Sequence, residues 1–85
     1  MPAQHASHPA IVARLKRAEG HLRSVISMIE QGRSCVDLAQ QLHAVEAAVT
    51  NAKRELIHDH IENCLEGDGV ARGDLKELKQ LAKYL

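Results

Sequence analysis

The chain has no Trp, no Phe and a single Tyr among its 85 residues, so whatever core it forms is built from Leu, Ile, Val and Ala. It has two Pro and two Cys, and it has no excess of either charge: 11 Lys and Arg balance 11 Asp and Glu. A neutral balance excludes a globally basic nucleic-acid binder, so any such role must come from how charge is distributed. No apolar run approaches the ~20 residues of a membrane span, and the opening MPAQHASHPA lacks the apolar centre of a signal peptide. A cytosolic protein is expected, in which two cysteines serve as thiols for ligation or redox sensing rather than as a structural disulfide. At this length a single domain has a marginal core of its own, and oligomerising is the ready remedy.

What is present is helical periodicity. From Ser34 to Leu65 there is neither Gly nor Pro, and Leu38, Leu42, Val45, Val49, Ala52 and Leu56 recur at alternating steps of four and three. That is the apolar seam of one long amphipathic helix. Ser34 suits its N-cap with Asp37 three residues on, and Gly67 stands where it should stop. Upstream, Ile11, Leu15, Ala18, Leu22, Val25 and Ile29 repeat the same alternation. Ser7 caps that helix, Pro9 sits in its first turn where a missing N–H is harmless, and Gly32 ends it. Asp74 to Leu85 reads as a short third helix with Leu75, Leu78, Leu81 and Leu85 on one stripe, after a Gly67 to Gly73 loop. The expected fold is therefore all-α. Residues 1–8 form a flexible arm and 9–85 a single helical domain, with two long antiparallel helices, a short third, and two such hairpins making a four-helix bundle.

The second seam ends unusually. Beyond Leu56 the four-residue step continues into His60 and Cys64, a pair at i and i+4 able to hold one metal ion, while Cys35 opens the same helix. Cys35 and His60 are 25 residues apart, roughly 37 Å along a continuous helix, so one chain cannot bring them together. Two copies packed antiparallel about a two-fold axis near Ala48 would, since if i meets j then j meets i. Ala44, Ala47 and Ala48 are small enough for close approach at that crossing. The pattern points to a dimer with two sites, each taking Cys35 from one chain and His60 and Cys64 from the other. His58 lies two residues from His60, on another face, and His21 and His43 suit a helix interface and solvent respectively.

The runs RLKRAEGHL, CVDLAQQLHAV and LIHDHIENCL, with Cys35, His60 and Cys64 at these spacings, closely resemble the CsoR/RcnR/FrmR family of small helical bacterial repressors, from about Ile11 to Leu85. The resemblance implies dimers paired into tetramers, double-stranded operator DNA as partner, and release of DNA when an effector fills the Cys/His site. It also implies a role for the basic cluster Arg14, Lys16, Arg17 and Arg23, with Lys53 and Arg54 next, in contacting phosphates. No helix-turn-helix or aromatic platform is evident, so recognition should rest on backbone charge and DNA shape.

The effector stays open among three. Cys35, His60 and Cys64 match the copper branch, and a Cys₂His set suits soft Cu(I). Copper members also carry a Tyr before the first Cys, where this chain has Ser34, and a partnering Glu in the last helix that falls near Glu77. Nickel and cobalt sensors recruit an N-terminal His for Ni(II) or Co(II); their position aligns with Ala3, with His5 and His8 close by. Formaldehyde sensors join Pro2 to the Cys matching Cys35, and both are present. An enzyme is not expected, because the chain offers no Gly-rich oxyanion loop and too little mass for a substrate pocket. A metal buffer would need the site without the basic helix.

Overall fold

The computed structural model describes residues 8–66 and 72–85, and side chains within 8–63 and 75–85. Three helices follow in order: α1 (His8–Glu30), α2 (Cys35–Glu66) and α3 (Arg72–Ala82). α1 runs back along α2, and α3 touches α2. The expected Ser7 cap and most of the Gly67 to Gly73 loop lie outside the described residues. The third helix begins earlier than the loop reading allowed, since Arg72 and Gly73 are already helical, and it ends at Ala82 rather than Leu85.

The turn between the long helices is specified residue by residue. Gly32 takes φ 79°, a left-handed conformation that an L side chain resists. Its N–H reaches Ile29 O at 3.1 Å, and Arg33 N–H reaches Met28 O at 3.1 Å. These two bonds close the end of α1 in a Schellman arrangement. Ser34 then caps α2, its Oγ accepting the Asp37 N–H at 3.2 Å. Two of the last carbonyls of α1 and the Asp37 N–H at the start of α2 are thus paired within a few residues.

Each seam is only half used within the protomer. Ile11, Ala18 and Val25 of α1 and Val45, Ala52 and Ile57 of α2 are buried, the first three at steps of seven. The members between them are not: Leu22 is 42% exposed and Val49 47%, and Leu15, Ile29, Leu42 and Leu56 resemble them. Ile57, outside the expected seam, replaces Leu56 as a core residue. A fully buried Val or Ile contributes ~1.5–3 kcal/mol, so six such positions, two of them Ala, make a thin core. The exposed half forms a second apolar stripe running along both helices.

Candidate metal centre and basic groove

α2 is one unbroken helix of 32 residues, so Cys35 and His60 stand at opposite ends of it. Cys35 is a free, exposed thiol at the first position of the helix, fixed in place by the Ser34 cap. His60 has a side chain 24% exposed, and its Nε2 lies 3.4 Å from Glu77 Oε1 on α3. This contact ties the third helix to the second at a candidate ligand position. A histidine whose Nε2–H points to a carboxylate offers Nδ1 as its lone-pair nitrogen, the arrangement that commonly supports a metal-bound imidazole. Glu77 is thus the acid of α3 that lies against His60.

The remaining histidines separate clearly. His58 is exposed. His43 is exposed and 3.9 Å from Glu46. His21 is half-buried and its Nε2 lies 2.6 Å from Gln41 Oε1, joining α1 to α2 as an interface histidine. His8 is half-buried at the first residue of α1, the end that antiparallel packing brings to the His60 end of α2. His5 and Pro2 lie outside the described residues, as does the Cys64 side chain; the Cys64 backbone belongs to α2, one turn beyond His60. Among the described residues no three His, Cys, Asp or Glu side chains of one protomer gather as a metal site.

The basic residues of α1 do not share one open face. Arg14 flanks the buried stripe at the border with α2, where its NH1 is 2.9 Å from Glu55 Oε2. The reason is register: Arg14 follows buried Ile11 by three residues and precedes buried Ala18 by four, so it shares their side of the helix. Arg14 and Arg17, with Ala18 and His21, form one wall of a groove completed by Ala48 and Asn51 of α2. Arg23 lies 3.9 Å from Glu19, both exposed. Lys16, Lys53 and Arg54 are exposed to solvent. Glu55 and Asn51, which the sequence reading passed over, acquire their interest from neighbours on another helix.

Comparison with known proteins agrees with this architecture. The profile of a family described as metal-sensitive transcriptional repressor matches residues 7–85. The chain belongs to that family. The copper-sensing transcriptional repressor CsoR of Mycobacterium ulcerans is 37% identical over 78 residues, covering 88% of this chain and 67% of the relative. The CsoR of Bacillus subtilis is 42% identical over 64 residues, 75% of this chain and 62% of the relative. The solved structure of the nickel-responsive transcriptional regulator InrS matches with a TM-score of 0.79 at 31% identity, covering 100% of both chains. Family and relatives are transcriptional repressors, not enzymes, and so is this protein. Among the described residues no helix is long and apolar enough to cross a membrane.

Proposed function

We infer that this metal-sensitive repressor binds operator DNA in its metal-free form and releases it when Cu(I) fills a site made by Cys35 of one copy and His60 and Cys64 of another. One observation carries the reading. α2 is continuous, which sets Cys35 and His60 roughly 37 Å apart within a chain, and the two ends of that helix carry an exposed thiol and a carboxylate-oriented imidazole. Such ends are complementary when two copies pack antiparallel. Two thiolates and one imidazole suit a soft ion satisfied by three ligands.

The bond that such an ion supplies joins the start of one α2 to the end of the next. Cys35 moves with the turn between α1 and α2, and His60 moves with α3 through Glu77, so any difference in helix angle between filled and empty sites reaches the basic surface of α1. The coupling is reciprocal: DNA must weaken metal binding by the factor that metal weakens DNA binding. The phosphate contacts belong to Arg14, Lys16, Arg17 and Arg23, with Lys53 and Arg54 beside them, on a homotetramer that gathers several copies of the patch.

A nickel- or cobalt-responsive reading has its own support in the InrS likeness and in His8 standing at the His60 end. The deciding experiment is fluorescence anisotropy on duplex from the protein's own upstream region, titrated with anaerobic Cu(I), Ni(II), Co(II) and formaldehyde, with Cys35→Ala and Cys64→Ala alongside. Release by Cu(I) alone, lost in both variants, is the expected result. Release by Ni(II) that is lost in His8→Ala would replace copper with nickel; release by formaldehyde that survives Cys64→Ala would move the function to Pro2 and Cys35.

A further inference from the structure

The groove between α1 and α2 is lined by groups that donate hydrogen bonds. Arg14, Arg17 and His21 stand on one side and Asn51 on the other, over Ala18 and Ala48, whose small side chains leave the space between open. His21 is anchored there by Gln41 at 2.6 Å. Two guanidinium groups and an amide converging on one space are what the oxygens of a backbone phosphate bind, the planar fork of Arg above all.

Arg14 is already engaged. Its partner Glu55 lies one helical turn beyond Asn51, and the 2.9 Å contact is made by a side chain 34% exposed against one 52% exposed. Glu55 Oε2 is shielded from solvent, yet it makes no aligned hydrogen bond. The pair is therefore held by charge and proximity, without the bidentate geometry that makes Arg–carboxylate contacts strong. A phosphate has more oxygens to offer and can meet Arg14, Arg17 and Asn51 together.

We propose that Glu55 is a built-in competitor for DNA: its carboxylate holds Arg14 in the DNA-free protein, and a backbone phosphate entering the groove displaces it. The proposal rests on the repressor reading, since that reading supplies the phosphate. Arg14 must give up one anion to take the other, which lowers affinity for every duplex alike and leaves the complex easier to dissociate.

The test is anisotropy of a fluorescein-labelled duplex from the protein's own upstream region, metal-free and at low ionic strength, where a half-exposed pair is least screened. Glu55→Gln removes the competing charge in the same shape and should tighten binding about two- to five-fold for each Arg14 engaged, the fold-change of an exposed ion pair. Glu55→Asp keeps the charge but draws it back by one methylene, and should also tighten binding. In an Arg14→Gln background both gains should vanish. Weaker or unchanged binding in Glu55→Gln would show that Glu55 helps or ignores Arg14, and a gain persisting without Arg14 would show a general charge effect; each overturns the proposal. Wild-type protein that binds no duplex would overturn the repressor reading and this proposal with it, whereas wild-type binding with a flat response at position 55 overturns this proposal alone.

Discussion

Glu77 is the residue on which the metal affinity should turn without its touching the metal. Its carboxylate lies 3.4 Å from His60 Nε2, and in the proposed site it would orient the imidazole and link that orientation to α3. Glu77→Gln keeps the size and removes the charge that favours an Nε2–H donor. Loss of such a support typically costs about 10- to 100-fold in metal affinity, and the expected outcome is a drop in that range by competition with a chromophoric Cu(I) chelator, with DNA affinity of the metal-free protein unchanged. An unaltered metal affinity would mean that His60 is oriented by something else. His58→Ala, on the exposed face, should leave the chelator competition where it is, in contrast to His60→Ala. These placements were legible to different degrees. That His60 rather than His58 continues the seam follows from helical spacing alone, but that Glu77 and not another acid of α3 meets it depends on how α3 lies on α2, which no local pattern encodes. Glu55 was invisible for the same reason: a Glu between Arg54 and Leu56 of a helix looks like an ordinary solvated position until Arg14 arrives from α1.

At the level of the elements, the turn from α1 to α2 was readable almost to the residue because its signals are local. Gly32 and Ser34 announce a stop and a start, and backbone bonds from Gly32 and Arg33 with the Ser34 cap carry it out. Gly32→Ala forces a side chain into left-handed backbone at φ 79° and should cost about 1–2 kcal/mol; Ser34→Ala removes the bond to Asp37 N–H and should cost ~1 kcal/mol. Thermal unfolding by far-UV circular dichroism checks both, and no loss in Gly32→Ala would mean that the turn relaxes to another geometry. Ser34→Ala should also loosen Cys35, its immediate neighbour, and so lower metal affinity as well as stability. The start of α3 was misjudged by two residues because Gly73 reads as a breaker, yet it lies in the first turn, where a glycine weakens a helix less than in its interior. The seams were right as periodic patterns, but only alternate members are buried within the protomer, a division that the spacing alone does not show.

The whole molecule turns on that shared stripe. Within one protomer Ile11, Ala18, Val25, Val45 and Ala52 are covered while Leu15, Leu22, Ile29, Leu42, Val49 and Leu56 stay half exposed. The two sets interleave at the steps of four and three that coiled helices use, so one set belongs to the hairpin and the other fits a second hairpin. On the proposed two-fold axis near Ala48, Val49 would lie almost at the centre and meet its own copy, the position at which one substitution acts twice. Val49→Glu would set two carboxylates against each other in an apolar contact, where neither can keep its hydration. The expected outcome is a monomer by analytical ultracentrifugation with reduced helicity, loss of metal binding because Cys35 no longer meets His60 of another chain, and loss of DNA binding with the assembly. Wild-type protein should show a melting temperature that falls on dilution, as mass action demands when folding and association are linked. Constant melting temperature over a hundred-fold dilution, together with a monomeric mass, would sink the intersubunit site and leave the exposed stripe without a partner. A Val49→Glu protein that stays monomeric yet still binds Cu(I) with wild-type affinity would place the ligands within one chain, which a continuous α2 does not permit for Cys35 and His60 together.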